Sequence, residues 1–405
     1  MKRIAILLPY KEKFTEDNAG AASIWVKDYL NQSSLKNNTT VYGFLPKNKK
    51  PLLKNFKNLD LSDFFLRKNL SYTQKFFQEY KKKRFDIIEI HNRPESLNYL
   101  LKNNVKSKII FFFHNDPKTL RGSISVKERQ FIAENTDQIF FVSNWVKKRF
   151  FENLPYEQRN NCDVLYPSIK PLKKFPKKEN IIVFSGKLNT SKGFDVFGPA
   201  VIRILNEYSD WKAIAVGNEP RENFSFKHKN FKIIDWVKHS KILNIYSKSS
   251  IAVVPSKWDE PFGRTSMESA AYGCAVLTSI KGGLKETFNN TLFLKKITPD
   301  EIYNKIKDLI NNKKKRLNIQ RKNFSNVIHK LKDKINKIDT LKKFYLNSNF
   351  YFNKKKKLKI LHISQFDERN NHRLFNISIS NKLSKGLVRN NHDVINLSYR
   401  NLISK

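Results

Sequence analysis

The residues best suited to chemistry lie in the segment Val253 to Ser279, where Glu260 is followed by Pro261-Phe-Gly263, Arg264, Thr265 and a second carboxylate, Glu268. Seven residues separate the two glutamates. The apolar run before Glu260 reads as a strand, Pro-Phe-Gly as a tight turn, and the residues from Arg264 as a helix that stops at Gly273. Free backbone N–H groups after Gly263, with the positive end of the helix dipole, suit phosphate oxygens. Glu260 and Glu268 flank that anion site; they are poor counter-charges for phosphate but good acceptors for hydroxyls. The ligand implied has phosphate in its middle and hydroxyls on either side. The plainer alternative is one surface carboxylate and one that only complements the helix dipole.

A second segment, Phe184-Ser-Gly-Lys-Leu-Asn-Thr-Ser-Lys-Gly-Phe194, follows another strand. It places Lys187 and Lys192, five residues apart, around a turn ending at Gly193. As point charges, these lysines suit a diphosphate whose negative charge grows as it leaves. A nucleotide sugar answers the description of the ligand, and the Glu260–Glu268 segment resembles the signature of the retaining GT-B glycosyltransferases of the "group one" family. The resemblance implies that Glu260 contacts the donor sugar's hydroxyls, that Phe262 and Gly263 offer backbone N–H groups, and that Glu268 holds the ribose diol. It places Gly186, Arg264 and Thr265 around the donor as well. Lys192 matches the family's lysine, while Lys187 stands where arginine is common and lacks that residue's bidentate fork. Gly282-Gly283 and Glu286 also fit the family.

Toward the amino terminus the resemblance is looser. Glu16-Asp-Asn-Ala-Gly-Ala-Ala-Ser23 follows the first strand, where the family carries paired glycines near the donor phosphates, and only Gly20 is present. His114 ends an apolar strand and is similar to the family's histidine that contacts the donor sugar. His91 and Asn92 end another strand and are expected to face the acceptor. Ser143 reads as a helix cap.

No Walker lysine motif, Gly-x-Ser-x-Gly elbow or His/Cys metal cluster competes with this reading, and no Asp-x-Asp motif offers a metal site. The expectation is metal-free, cofactor-free sugar transfer to a hydroxyl acceptor with retention, the acceptor being a cell-envelope glycan or a lipid-linked one. A nucleotide-sugar epimerase or phosphorylase of the same fold is the rival among enzymes. A nucleic-acid binder is the rival from another class, motivated by 78 basic against 36 acidic side chains, a net +42. It lacks interleaved aromatic and basic motifs, so nucleic acid is not the expected partner. The lysines travel with Asn, Ile and Phe, all with A/T-rich codons, so base composition is an equal source of the charge. An anionic membrane surface is the other partner such a charge suits.

Positioning these residues requires two α/β units. A chain of 405 residues with 40% hydrophobic content has room for two or three domains. Strands are expected at 3–8, 86–90, 108–113 and 138–142, and again at 181–184, 211–216, 231–234, 251–254 and 275–279. Two doubly wound Rossmann-like domains are expected, 1–168 and 181–345, facing across a cleft and joined by a Pro-broken linker, 169–180; the family resemblance implies that they form a GT-B architecture. A basic linker, 346–356, leads to 357–405, whose strand, helix and strand repeat the order of residues 2–44 and read as the incomplete start of a further α/β domain in a longer tandem enzyme. The lysine clusters at 313–316 and 354–357 read as solvated faces or spacers. Two cysteines and no apolar run of membrane-spanning length suggest a cytoplasmic protein, peripheral on the inner membrane face.

Overall fold

The computed structural model describes residues 2–10, 12–16, 19–61, 68–156, 159–170, 172–289, 292–326, 331–347, 359–364, 374–389 and 393–398. The lysine cluster at 354–357, most of the expected basic linker, and Asp17, Asn18 and Pro171 lie outside them.

The first domain is built from strands β1 (Ile4–Leu7), β2 (Thr39–Gly43), β3 (Phe56–Asn58), β4 (Ile87–His91), β5 (Lys108–Phe113), β6 (Gln138–Phe141) and β7 (Cys162–Val164). All pair in parallel, in the order β3-β2-β1-β4-β5-β6-β7. Helices α1 (Ala21–Gln32), α2 (Lys68–Lys82), α3 (Pro94–Lys102), α4 (Val126–Asn135) and α5 (Asn144–Phe151) make the crossovers. The central strands are apolar nearly throughout because both faces are covered, one packed against Trp25, Val26, Tyr29 and Leu30 of α1 and the other against Phe76, Leu97, Ile132 and Phe150.

The second domain repeats the plan with β8 (Glu179–Ser185), β9 (Lys212–Val216), β10 (Phe231–Ile234), β11 (Ser249–Val254), β12 (Ala275–Thr278) and β13 (Leu292–Phe293), ordered β10-β9-β8-β11-β12-β13. Helices α6 (Phe194–Glu207), α7 (His239–Lys248), α8 (Arg264–Ala271), α9 (Pro299–Asn311) and α10 (Lys313–Ser325) surround it. The order reverses between β1 and β4 in one sheet and between β8 and β11 in the other. Those switch points are where open α/β sheets bind ligands. The two-domain GT-B fold expected from the sequence is the fold observed; the strands β3, β7 and β13, two or three residues long, were too brief to be anticipated.

Two expectations change. Helix α11 (Leu331–Asn347) lies inside the expected second domain, yet Leu331, Ile335 and Ile338 enter the core of the first sheet beside Ile4, Ile6 and Trp25. Its polar side has partners there too: Asp339 accepts hydrogen bonds from the Tyr29 hydroxyl at 2.9 Å and the Ser33 hydroxyl at 2.7 Å. The chain crosses back to the domain it started from, so a boundary at 345 follows chain order and not packing. In the 313–316 cluster, read as solvated, Arg316 is buried: its guanidinium bonds the carbonyls of Leu309 and Ile310 at the end of α9 and lies over the Trp211 ring. Orphan helix-end carbonyls attract a cation there.

Residues 348–405 form a separate unit. In it β14 (Lys359–Ser364) and β15 (Asp393–Ser398) pair in parallel through the crossover helix α12 (Leu374–Arg389), the expected strand-helix-strand order.

Candidate active site

A cavity of about 250 Å³ opens between the carboxyl ends of the two sheets. Its second-domain wall begins with two loops held against each other. Gly193, with φ 76°, lets the β8–α6 turn approach the loop after β11 so closely that a Cβ would sit 2.1 Å from the Pro255 carbonyl oxygen. The Ser191 carbonyl accepts from the backbone N–H groups of Lys257 at 2.9 Å and Trp258 at 3.0 Å, and the Asn189 side chain caps Lys192 N–H. This clamp brings the Lys192 ammonium to 2.5 Å from the Glu260 carboxylate, which also accepts from the Ser256 hydroxyl at 2.9 Å. All three side chains line the cavity.

The turn into α8 is as tightly specified. Gly263 adopts φ 105°, and a side chain there would collide with Leu284 at 2.4 Å. Phe262 is buried against Tyr166 of the first domain, so the backbone from Pro261 to Thr265 forms the cavity floor at the open start of α8. Gly282 and Gly283 keep the following loop in contact with the Glu260 and Pro261 carbonyls, Gly283 N–H donating to Glu260 at 2.7 Å.

The structure thus brings together Lys192, Glu260, Gly186, Phe262, Gly263, Arg264, Thr265 and His114 on one cavity. Other expected residues sit elsewhere. Lys187 is half-exposed, 3.7 Å from Glu219, and is not among the lining residues. Glu268 is buried below the α8 turn, bound to His239 Nε2 at 2.9 Å and Arg264 Nε at 2.6 Å. Burial alone would raise its carboxyl; Arg264 and then the His239 bond outweigh that and hold it below the usual glutamate value. Arg264 reaches back to Asp28 of α1 at 3.5 Å, a link across the cleft. Gly20 starts α1, but the space a Cβ would take is filled by the Glu12 carboxylate, which accepts from Ser23 N–H at 3.0 Å.

On the first-domain wall, His91 and Asn92 do not face an acceptor. His91 is fully buried at the end of β4, its Nε2 2.7 Å from Glu89 and its Nδ1 2.8 Å from His114 Nε2. Asn92, at φ 53°, turns its side-chain oxygen onto the N–H groups of His114 and Asn115 and so shapes the end of β5. For His91 the reason is the alternation along β4, which sends Glu89 and His91 into the same covered face. His114 itself lines the cavity. Burial, reinforced by neighbouring His91, pushes it well below the ordinary histidine value, so it is a neutral imidazole.

The domains are also pinned directly. Ser143 caps α5 through Val146 N–H at 3.0 Å and donates its hydroxyl to the Pro261 carbonyl. Glu286 of the second domain accepts from the N–H groups of Asn144 and Trp145 at 2.7 and 2.9 Å and from the Tyr166 hydroxyl at 2.9 Å. A carboxylate from one domain therefore caps a helix of the other.

Residues 167–325, covering the whole linker and the second domain through α10, match the family described as glycosyl transferases group 1. The second domain is a group 1 glycosyltransferase domain. Spore coat protein SA of Bacillus subtilis is 23% identical over 350 residues, covering 78% of this chain and 91% of that protein. Among solved structures, sucrose-phosphate synthase from Thermosynechococcus elongatus superposes with a TM-score of 0.68 at 15% identity, covering 86% of this chain and 100% of that one. The Anabaena HepE structure in complex with UDP-glucose gives 0.68 at 14% identity, covering 84% and 99%. These structural likenesses establish the GT-B fold of this chain.

Several residues in and behind the cavity were not anticipated. Trp25 lines the cavity and packs its ring 5.6 Å from His91 and 6.5 Å from His114. Ser256 bonds Glu260, and His239 bonds Glu268. No spacing marks those three. Glu89 did leave a signal, a carboxylate in the middle of the apolar strand Ile-Ile-Glu-Ile-His, two residues from a histidine.

Proposed function

We propose that the chain transfers a sugar from a nucleotide diphosphate sugar to a hydroxyl acceptor with retained anomeric configuration, without a divalent ion. The observation carrying this reading is the Lys192–Glu260 pair at 2.5 Å, fixed in the cavity beside the open start of α8. A diphosphate lying along that helix start meets backbone N–H groups and can draw the Lys192 ammonium from Glu260, freeing the carboxylate for sugar hydroxyls. As the bond from the anomeric carbon to the phosphate oxygen breaks, its electron pair goes to that oxygen, where Lys192 and the helix dipole meet the growing charge. The acceptor oxygen bonds the same face of that carbon, and its proton passes to a donor phosphate oxygen. Roles for Lys187 at the outer edge of the diphosphate, and for Glu268 at the ribose once His239 or Arg264 gives way, belong to the same proposal. The Anabaena structure with UDP-glucose supports this class of donor. The name spore coat protein SA supports an acceptor in a surface layer, and the +42 charge suits work at the inner face of an anionic membrane.

The test is acceptor-dependent release of nucleoside diphosphate across a panel of sugar donors and envelope glycans in the presence of EDTA, with the anomeric configuration read by NMR. Release that continues in EDTA with retention supports the proposal. Inversion, loss of release in EDTA reversed by metal, or turnover needing only inorganic phosphate would each overturn it, the last in favour of a phosphorylase.

A further inference from the structure

Behind His114 runs a line of side chains that the transfer reaction does not itself require. Lys342 Nζ of α11 lies 2.5 Å from Glu89 Oε2, and both side chains are fully buried. The other Glu89 oxygen is 2.7 Å from His91 Nε2; His91 Nδ1 is 2.8 Å from His114 Nε2; and His114 lines the cavity. No hydrogen bond from a described residue reaches His114 Nδ1. The relay is enclosed by Trp25 and Phe112, whose ring stacks on His91 at 4.8 Å.

We propose that Lys342, Glu89 and His91 fix the tautomer of His114, so that it presents an unprotonated Nδ1 to the cavity and accepts a hydrogen bond from a hydroxyl of the bound sugar. The argument is a count of protons and charges. Lys342 offers donors only, so Glu89 facing it is an acceptor on that side. The carboxylate is ionised: burial raises it, but Lys342 and then the His91 bond outweigh burial and hold it at about 2. His91 Nε2 must therefore carry the hydrogen that Glu89 accepts. A second proton on His91 would leave the buried set Lys⁺, Glu⁻, His, His with a net positive charge among aromatic rings, which is costly. The other ionisable groups facing the relay do not relieve that cost. Arg264 approaches His114 from the second domain and is itself positive, the Tyr29 ring takes the Lys342 ammonium at 4.5 Å, and Asp339 is occupied by Tyr29, Ser33 and Ser34. His91 Nδ1 is thus a lone pair, His114 Nε2–H donates to it, and Nδ1 of His114 is left as an acceptor.

A site that accepts a hydroxyl proton discriminates against sugars lacking that hydroxyl, so these three are positioning residues for donor selection. The selectivity rests on the donor-site reading above; the tautomer does not, and is measured without substrate.

Nitrogen-15 histidine labelling of the full chain, with two-bond proton–nitrogen correlation near neutral pH, reads both ring nitrogens of each histidine; the His114 ring is assigned by its loss in His114→Gln. The expected result is a protonated Nε2 and unprotonated Nδ1 for His114. A protonated Nδ1, in either the neutral or the charged ring, overturns the proposal in the wild-type protein alone. In Glu89→Gln, Lys342 keeps the amide oxygen and the amide NH₂ faces His91, so both rings should switch to the Nδ1–H form. Donor KM should rise about tenfold, the scale of one hydrogen bond, with kcat less affected. A folded Glu89→Gln protein with His114 unchanged refutes control by the relay. The expected tautomer in a protein with no transferase activity would leave the relay standing and refute the proposed function.

Discussion

In the second domain Lys192 and Glu260 meet at the cavity surface, whereas in the first domain the ion pair Glu89–Lys342 is fully buried two imidazoles behind that surface, and of this line of side chains His114 is the one that meets the cavity. The difference follows from what each wall does. On the proposed function the first pair has to exchange partners during a cycle, and its side chains accordingly keep 28% and 14% of their surface in contact with solvent. Charges that only orient a ring do so best when they cannot exchange partners, and a buried pair is rigid because separating it is so unfavourable.

The largest effects should come from the exchanging wall. Lys192→Ala and Glu260→Ala are each expected to lower kcat by on the order of 10²- to 10³-fold, with melting temperatures close to wild type. Steady-state rates beside thermal melts check this; near-normal turnover in either variant would remove the charged wall from the chemistry.

Next comes the acid stability of the buried wall. Glu89 is held at about 2 in the fold against an ordinary 4.5. The unfolded chain therefore binds the extra proton first, and this contribution to stability is full above pH 4.5 and lost as pH falls toward 2. Glu89→Gln should be less stable than wild type at neutral pH, and the gap should narrow on acidification. A gap constant from pH 7 to pH 3 in denaturant titrations would contradict the buried ion pair.

How much of this could be read in advance depends on the distance over which each feature is specified. The second-domain wall was legible because strand, glycine turn and helix are contiguous, so local spacing places Glu260, Phe262 and Gly263 together. Lys192 came with them through its own strand-turn unit. Lys187 did not: the same turn that sends Lys192 inward leaves its neighbour on Glu219. The first-domain wall was misread at His91 because the element that decides its role, α11, arrives some 250 residues later by sequence number and from what looked like the other domain. A histidine's partner across that separation has no local signature.

The joint between the walls offers smaller effects. Ser143→Ala removes a helix cap and a bond to Pro261, and should cost about 0.5–2 kcal/mol in chemical denaturation. Gly263→Ala, forced to φ 105° against Leu284, should cost about 1–3 kcal/mol and weaken donor binding as well. No change in Ser143→Ala would mean that the cross-domain bond to Pro261 is not maintained in solution, and no change in Gly263→Ala that the left-handed turn against Leu284 is not.

The smallest effect concerns the last unit. It repeats the strand-helix-strand order of β1, α1 and β2, but β1 is wholly buried whereas Leu361, Ile363 and Ile395 of the later strands are more than half exposed. Amides from Ile360 to Ile363 should exchange much faster than those from Ile181 to Phe184. Equal protection would show that their exposed face is covered in the full protein.

The central claim is that the open start of α8, with Lys192, holds a diphosphate without a metal. Calorimetric titration in EDTA of nucleoside, nucleoside monophosphate and nucleoside diphosphate into wild type and Lys192→Ala tests it most directly. The account predicts that affinity in the wild type rises with each phosphate and that the final step largely disappears in Lys192→Ala. Equal affinity for nucleoside and diphosphate, or a diphosphate preference that appears only when a divalent ion is added, would contradict it.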